Sequence, residues 1–215
     1  DCTPIHLKLM IQDKPKDINP LEYLYVGGEA LETNLAKEIL KKKYCKNIIN
    51  VYGPTECTVD STYYEIDLMT EKVYIGKPIA NTKVYVEDNN CLCGIGVPGE
   101  LCIAGVGLAR NYVNNPSLTA QKFVQNPYGE GCMYRSGDLA RWLPDGNIEY
   151  LGRVDEQVKI RGFRIELGEI ENRIRENGKV EDCAVIARTD VSGQKAISAY
   201  IVGKEPIEIA EIRGD

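Results

Sequence analysis

The sequence predicts a mixed α/β and α+β chain in three successive pieces. These are the end of an α/β subdomain, a small antiparallel β-barrel-like subdomain, and a small, incomplete α+β unit at the C-terminus. Three observations predict it: a strand–helix–strand pattern over residues 21–52, short alternating segments from about residue 60, and a return to hairpin, helix and strands after Asp155. The corresponding boundaries are 1–60, 61–154 and 155–215.

"LEYLYVGG" (21–28) is rich in aromatic and branched residues and runs into a double glycine, the pattern of a buried strand ending in a tight turn. In the helix that follows, Leu31, Leu35, Ile39 and Leu40 keep helical spacing against Lys37, Lys41 and Lys42. "NIINVYG" then forms a short apolar strand, completing a unit of the parallel-sheet kind. Beyond it come "STYYEI", "KVYIG", "TKVYVED", "GELCIAG", "MYRSGDLARWL" and "NIEYLGRVD", punctuated by "EDNN" and "LPDGN". Asn, Asp and Gly tolerate the positive φ of hairpin turns, so this stretch predicts a small antiparallel sheet or barrel. After Asp155 the pattern predicts a hairpin in "QVKIRGFRIEL", a helix over roughly 168–177, and strands "DCAVIART" and "AISAYIV". "EPIEIAEIRGD" starts a helix and stops within a turn or two, the expected signature of truncation.

Composition narrows the function classes. At 215 residues and 43% apolar content the chain has ample material for a core. Its formal charge of -6 is spread evenly, which argues against a grip on nucleic acid phosphates. No apolar run approaches the roughly 18 residues that span a bilayer, and "DCTPIHLKLM" lacks the order of a signal peptide, so no membrane partner and a cytoplasmic location are expected. The eight cysteines are scattered and read as reduced thiols; Cys91 and Cys93 lack a second close pair, and His6 is the only histidine, so no zinc site is expected. His6 itself reads as a surface or packing residue, and the terminal "RGD" carries no adhesion reading.

Three segments carry chemistry. In "NVYGPTECT" (50–58), Gly53 and Pro54 end a strand, placing Tyr52, Thr55 and Glu56 at its carboxyl end, where open α/β sheets bind ligands. A Tyr offers a face to a purine, a Thr hydroxyl donates to a phosphate oxygen, and a Glu can hold magnesium. An ordinary strand-ending turn explains the same residues equally well. "MYRSGDLARWLPDGNIEYLGRVD" places Asp138 after a glycine turn, where a carboxylate can accept from ribose hydroxyls, and Arg153 as a fixed cation; a hairpin Asp and a surface Arg are the alternative. In "GRVDEQVKIRGFRIELGEIE", glycines 152, 162 and 168 bracket a strand pair and a helix start. Glu166, Glu169 and Glu171 sit near that helix's N-terminus, as its dipole favours.

In order and spacing these segments resemble the adenylate-forming enzymes, and among them the amino-acid adenylation domains of nonribosomal peptide synthetases. "NVYGPTE" is similar to that family's aromatic-Gly-Pro-Thr-Glu segment, "GELCIAGVGLARNY" to its barrel motif, "YRSGDLARWLPDG" to its ribose motif and "GRVDEQVKIRGFRIELGEIE" to its hinge motif. "YVGGEAL" resembles the strand-to-helix turn beside adenine. The resemblance implies ATP and magnesium as cofactors, an amino-acid substrate, and a peptidyl carrier domain whose phosphopantetheine thiol receives the acyl group.

By resemblance, Gly28, Glu29 and Ala30 form the adenine wall, Asn50 meets the adenine amino group and Tyr52 stacks on the ring. Thr55 contacts phosphate and Glu56 binds magnesium. Asp138 and Arg153 contact ribose, and Asp155 is the hinge of a C-terminal lid. Tyr25, Gly27, Val51, Val59 and Asp60 match positions lining the side-chain pocket. A buried Asp60 would need a partner, so a substrate side chain bearing N–H donors is expected. By resemblance the set looks most like pockets for glutamine or glutamate, with ornithine or lysine next. Ser136 stands where Thr is usual, and Asn111 replaces a Gly, a position that would ask a positive φ of Asn. The family's phosphate loop is expected upstream of residue 1 and its catalytic lysine downstream of residue 215, so residues 1–215 alone are expected to be inactive. An acyl-coenzyme A or aryl-acid ligase, or a degenerate non-catalytic scaffold, are the other readings.

Overall fold

A computed structural model describes residues 1–13, 19–155, 157–160, 163–189 and 195–206. The chain divides into two compact units, residues 1–155 and 156–215. The first begins with a helix the sequence patterns did not single out, α1 (Pro4–Asp13), whose Leu7 is fully buried. His6 is exposed on it and accepts a hydrogen bond at Nδ1 from the Thr3 amide. There follow β1 (Leu21–Val26), α2 (Thr33–Lys41) and β2 (Cys45–Tyr52), with β1 and β2 parallel in the register Val26 opposite Asn50. Leu24 and Val26 of β1, Leu31, Leu35 and Ile39 of the α2 segment, and Ile48 of β2 form one core with Leu7. Burying side chains of this size contributes about 1.5–3 kcal/mol each, which fixes the α/β layer.

Two expectations are corrected here. β1 is not a fully buried strand: Leu21, Tyr23 and Tyr25 are exposed and only Leu24 and Val26 are buried, because α1 and α2 cover one face of it. Nor does a new sheet begin at residue 61. β3 (Thr62–Ile66) pairs antiparallel with β2, and β4 (Lys77–Pro78) with β3, so both extend the first sheet in the order β1-β2-β3-β4.

The second sheet contains β5 (Thr82–Asp88), β6 (Cys91–Leu92), β7 (Gly99–Gly105), and, after the short α3 (Pro116–Lys122), β8 (Phe123–Gln125), β9 (Cys132–Trp142) and β10 (Ile148–Arg153). Its order is β10-β9-β7-β5-β6 with β8 on β9, a curled half-barrel with open ends rather than a closed barrel. The turn "EDNN" is made by Asn89 and Asn90 at φ 49° and 62°, the left-handed geometry a tight hairpin needs. Asn111 does not take positive φ; that conformation falls on Asn114 three residues later.

The second unit comprises the hairpin β11 (Val158–Ile160) and β12 (Phe163–Ile165), α4 (Leu167–Arg175), and the antiparallel pair β13 (Val180–Thr189) and β14 (Lys195–Gly203). Leu167, Val180, Cys183 and Val185 are buried within it. Glu171 accepts from the Val185 amide at 2.7 Å, tying α4 to β13. Gly162 and most of the expected C-terminal helix, residues 207–215, lie outside the described residues.

Candidate functional site

The carboxyl ends of β1 and β2 lie side by side, and the pleat sorts the predicted residues between the two faces of the sheet. Tyr25 and Gly27 share one face with Val51; Asn50 and Tyr52 belong to the other. A Cβ on Gly27 would come within 2.8 Å of Val51 Cγ2, so only glycine lets the strands approach this closely. Gly28 turns the chain at φ 85° and leads to half-buried Glu29 and exposed Ala30. Asn50 is buried and its Nδ2 donates to the Tyr74 carbonyl at 2.7 Å, which orients the amide with its oxygen as the accepting end.

After β2 the chain folds into a tight loop. Gly53 packs so closely on it that a Cβ would lie 2.1 Å from the Val59 carbonyl, while the Ser61 amide donates to the Tyr52 carbonyl. Within the loop, Thr55–Cys57 form a 3-10 turn with Thr55 exposed and Glu56 buried. Thr58 and Val59 take positive φ, which turns Val59 outward to 66% exposure. Asp60 is half-buried rather than fully buried, and burial pushes its carboxyl pKa up.

A second group gathers on β9 and β10. Between the pairs Glu100–Leu139 and Cys102–Arg135, one residue of β7 (Leu101) faces three of β9 (Ser136, Gly137 and Asp138), a bulge that re-aims Asp138. Ser136 secures it: the hydroxyl donates to the Leu101 carbonyl at 2.6 Å and accepts from the Asp138 amide at 3.0 Å. Asp138 is buried; its Oδ1 pairs with Arg153 Nη1 at 2.8 Å and its Oδ2 accepts from the Tyr52 hydroxyl. Burial and the neighbouring Asp138 hold the Tyr52 hydroxyl protonated, with its pKa well above the ordinary phenol value. Arg153 reaches on to Asp155 through Nε and Nη2. Tyr52, Asp138, Arg153 and Asp155 are therefore one connected network. Tyr52 is 9% exposed, and its hydroxyl holds Asp138.

Sequence reasoning missed the support beneath Glu56. Tyr112, from "GLARNY", donates to Glu56 Oε1 at 2.5 Å, and the Ala109 amide donates to the Glu56 carbonyl at 2.7 Å. Burial, then the bond to Glu56, pushes the Tyr112 pKa up, so the hydroxyl remains a donor. Among the described residues no group of three or more His, Cys, Asp or Glu could hold a metal by itself. A single hard carboxylate fits magnesium, which completes its shell with phosphate oxygens and water, and does not fit zinc. All eight cysteines are free thiols. An open cavity of about 740 Å³ beside Gly105, Arg110 and Gly131 contains none of the predicted residues.

A family model described as AMP-binding enzyme matches residues 2–113. The chain belongs to that family. Within AMP-binding enzymes, it is 52% identical over 205 residues to tyrocidine synthase 3 of Brevibacillus parabrevis, covering 94% of this chain and 3% of that protein. Among solved structures it is similar to a holo nonribosomal peptide synthetase protein containing adenylation and PCP domains, bound to a vinylsulfonamide inhibitor. The TM-score is 0.83 at 30% identity, over 98% of this chain and 38% of that one. It also resembles the Vibrio cholerae adenylation domain AlmE in complex with glycyl-adenosine-5'-phosphate, with TM-score 0.77 and 29% identity over 93% of this chain and 40% of that chain. The chain thus spans 3% of the length of curated relatives such as this one. The fold class read from the sequence agrees with these adenylation-domain structures. No helix among the described residues is long and apolar enough to cross a membrane.

Proposed function

We propose that the protein carrying this chain activates an amino acid with ATP and passes the aminoacyl group to the phosphopantetheine thiol of a peptidyl carrier domain. The observation that carries this reading is the convergence of Tyr52, Asp138 and Arg153 from two sheets, next to the loop that bears Thr55 and Glu56. Relatives named as peptide synthases and structures with adenylation and PCP domains support it. Asp138 accepts from ribose hydroxyls, with Arg153 and Tyr52 fixing its carboxylate. The oxygen end of Asn50 faces the adenine amino group, against a wall of Gly28, Glu29 and Ala30. Tyr52 lies beneath the nucleoside.

Thr55, exposed on the 3-10 turn, donates to a phosphate oxygen, and Glu56 holds magnesium, which when bound neutralises charge on the phosphates. The substrate carboxylate attacks the α-phosphorus, the bond to the bridging oxygen breaks, and its electron pair leaves with pyrophosphate. No protein group has to move a proton in that step, so positioning and charge neutralisation are the protein's contribution. The carrier thiol then attacks the acyl carbon, AMP departs and the thiol proton is released. Asp155, adjoining the division between the two compact units, is the hinge.

Tyr25, Gly27, Val51, Val59 and Asp60 line the side-chain pocket. Because burial destabilises the Asp60 anion, an amide or ammonium donor on the substrate stabilises it, as glutamine, ornithine or lysine supplies; glutamate, which the likeness of the pocket favours equally with glutamine, carries no such donor. Pyrophosphate exchange by the protein carrying this chain, across an amino-acid panel, tests this reading. Glutamine-class substrates should exchange fastest; leucine or phenylalanine leading would refute the role of Asp60, and activity only with fatty or aryl acids and coenzyme A would refute the amino-acid reading.

A further inference from the structure

We propose that Tyr112 is a positioning residue for the magnesium-binding carboxylate, holding Glu56 in the rotamer that faces the phosphates. This rests on the reading of Glu56 as the magnesium ligand. Glu56 sits on a 3-10 turn of three residues closed by left-handed Thr58 and Val59, a short element that cannot by itself fix a long side chain. The segment 107–112 supplies what the turn lacks, at three points. Thr58 Oγ1 donates to the Gly107 carbonyl at 2.7 Å, the Ala109 amide donates to the Glu56 carbonyl at 2.7 Å, and the Tyr112 hydroxyl donates to Glu56 Oε1 at 2.5 Å.

Tyr112 is fixed in turn. Its ring meets Phe123 edge-on at 5.6 Å, Phe123 packs at 5.1 Å on Tyr134, and the hydroxyls of Tyr112 and Tyr134 lie 3.3 Å apart. Tyr134 is fully buried, so the stack is anchored in the core of the second sheet. Its backbone is held as well, the Tyr112 amide donating to Thr119 Oγ1 at 3.0 Å. A donor on one carboxylate oxygen orients the other toward a cation, the usual way an outer group tunes a metal ligand.

Tyr112→Phe keeps the ring packing and removes only the hydroxyl. In the protein carrying this chain, the magnesium concentration giving half-maximal pyrophosphate exchange should rise about tenfold, with excess magnesium restoring the lost rate and the KM for the amino acid unmoved. A readout free of turnover is the thermal midpoint at fixed ATP titrated with magnesium, whose half-saturation should shift in parallel. Glu56→Gln is the reference variant. If Tyr112→Phe titrates like the native protein while Glu56→Gln is impaired, Tyr112 does not position Glu56, and the reading of Glu56 stands. If Glu56→Gln itself leaves the magnesium dependence unchanged, both fall. If Tyr112→Phe loses activity that magnesium does not restore and melts lower at every magnesium concentration, its role is only structural and the inference is overturned.

Discussion

Arg153 closes on Asp155 in a two-point ion pair, Nε to Oδ1 at 2.5 Å and Nη2 to Oδ2 at 2.7 Å, while its Nη1 holds Asp138 at 2.8 Å. One buried guanidinium thus joins the proposed ribose carboxylate to the proposed hinge. The two carboxylates are not equivalent, since the Asp138 side chain is 6% exposed and that of Asp155 39%. Removing the cation leaves Asp138 as a buried charge without it, so Arg153→Met should destabilise by about 3 kcal/mol. Asp155→Asn loses a solvent-screened contact, and less than about 1 kcal/mol is expected. Calorimetric unfolding of the two variants checks the ranking; equal effects would contradict it.

Gly137 turns the bulge at φ 73°, and a Cβ there would come within 2.7 Å of Arg153 Nη2 and 2.9 Å of Asp155 Oδ2. Gly137→Ala should therefore displace Arg153 from Asp138 and weaken nucleotide binding by about tenfold, roughly 1.4 kcal/mol. Titration of AMP followed by calorimetry reads the change. Gly53→Ala places its Cβ against the Val59 backbone, which cannot swing aside as a guanidinium can, and should be the more damaging of the two.

Much of this site was legible in the sequence because its signals are local. Gly53 and Pro54 stop a strand whose apolar run is visible, and Asn89 with Asn90 announce a turn that only left-handed residues make readily. What was not legible depends on partners remote along the chain. "STYYEI" alternates as a strand whichever sheet it joins, and only packing decides that β3 pairs with β2. Tyr112 meets Glu56 across 56 residues, and nothing in "ARNY" distinguishes that hydroxyl from any other loop aromatic. The bond from the Tyr52 hydroxyl to Asp138 spans 86 residues, and nothing in "NVYGPTE" announces it. α1 does open on a helix-start signal, Thr3 before Pro4, but "PIHLKLMIQD" has no clear polar face to set a helical period.

Acid should act through Glu149. This carboxylate is 4% exposed and bound by Lys72 and by Arg141 Nε at 2.6 Å; the bond from Lys72 first, then Arg141, outweighs burial and holds its pKa below the usual glutamate range. A depressed folded pKa means the unfolded chain binds the proton more readily. The stabilisation is therefore full above the unfolded value of about 4.3 and is lost as pH falls through the lower folded value. Glu149→Gln should flatten the acid limb of the stability profile below about pH 4.3, measured by thermal midpoint against pH. An unchanged acid limb would refute it.

Thiol labelling should separate the cysteines into two classes. Burial pushes Cys45 up to about 11 and Cys57 up to about 12, and Cys102 is raised as well, whereas Cys91 and Cys132 are exposed. At pH 8 the two exposed thiols should react with a maleimide at least tenfold faster than Cys45, Cys57 and Cys102, because the thiolate is the nucleophile. Mass spectrometry of a labelling time course reads the order, and early modification of Cys57 would show that the loop beside Glu56 opens.

The network of Tyr52, Asp138 and Arg153 is proposed to bind a nucleotide used to activate an amino acid. Amino-acid-dependent exchange of pyrophosphate into ATP, measured on the protein carrying this chain beside its Asp138→Ala variant, tests it most directly. Exchange should require an amino acid and fall at least a hundredfold in the variant, about 2.7 kcal/mol, with the KM for ATP raised. Equal exchange by the two proteins, or exchange indifferent to the amino acid, would contradict it.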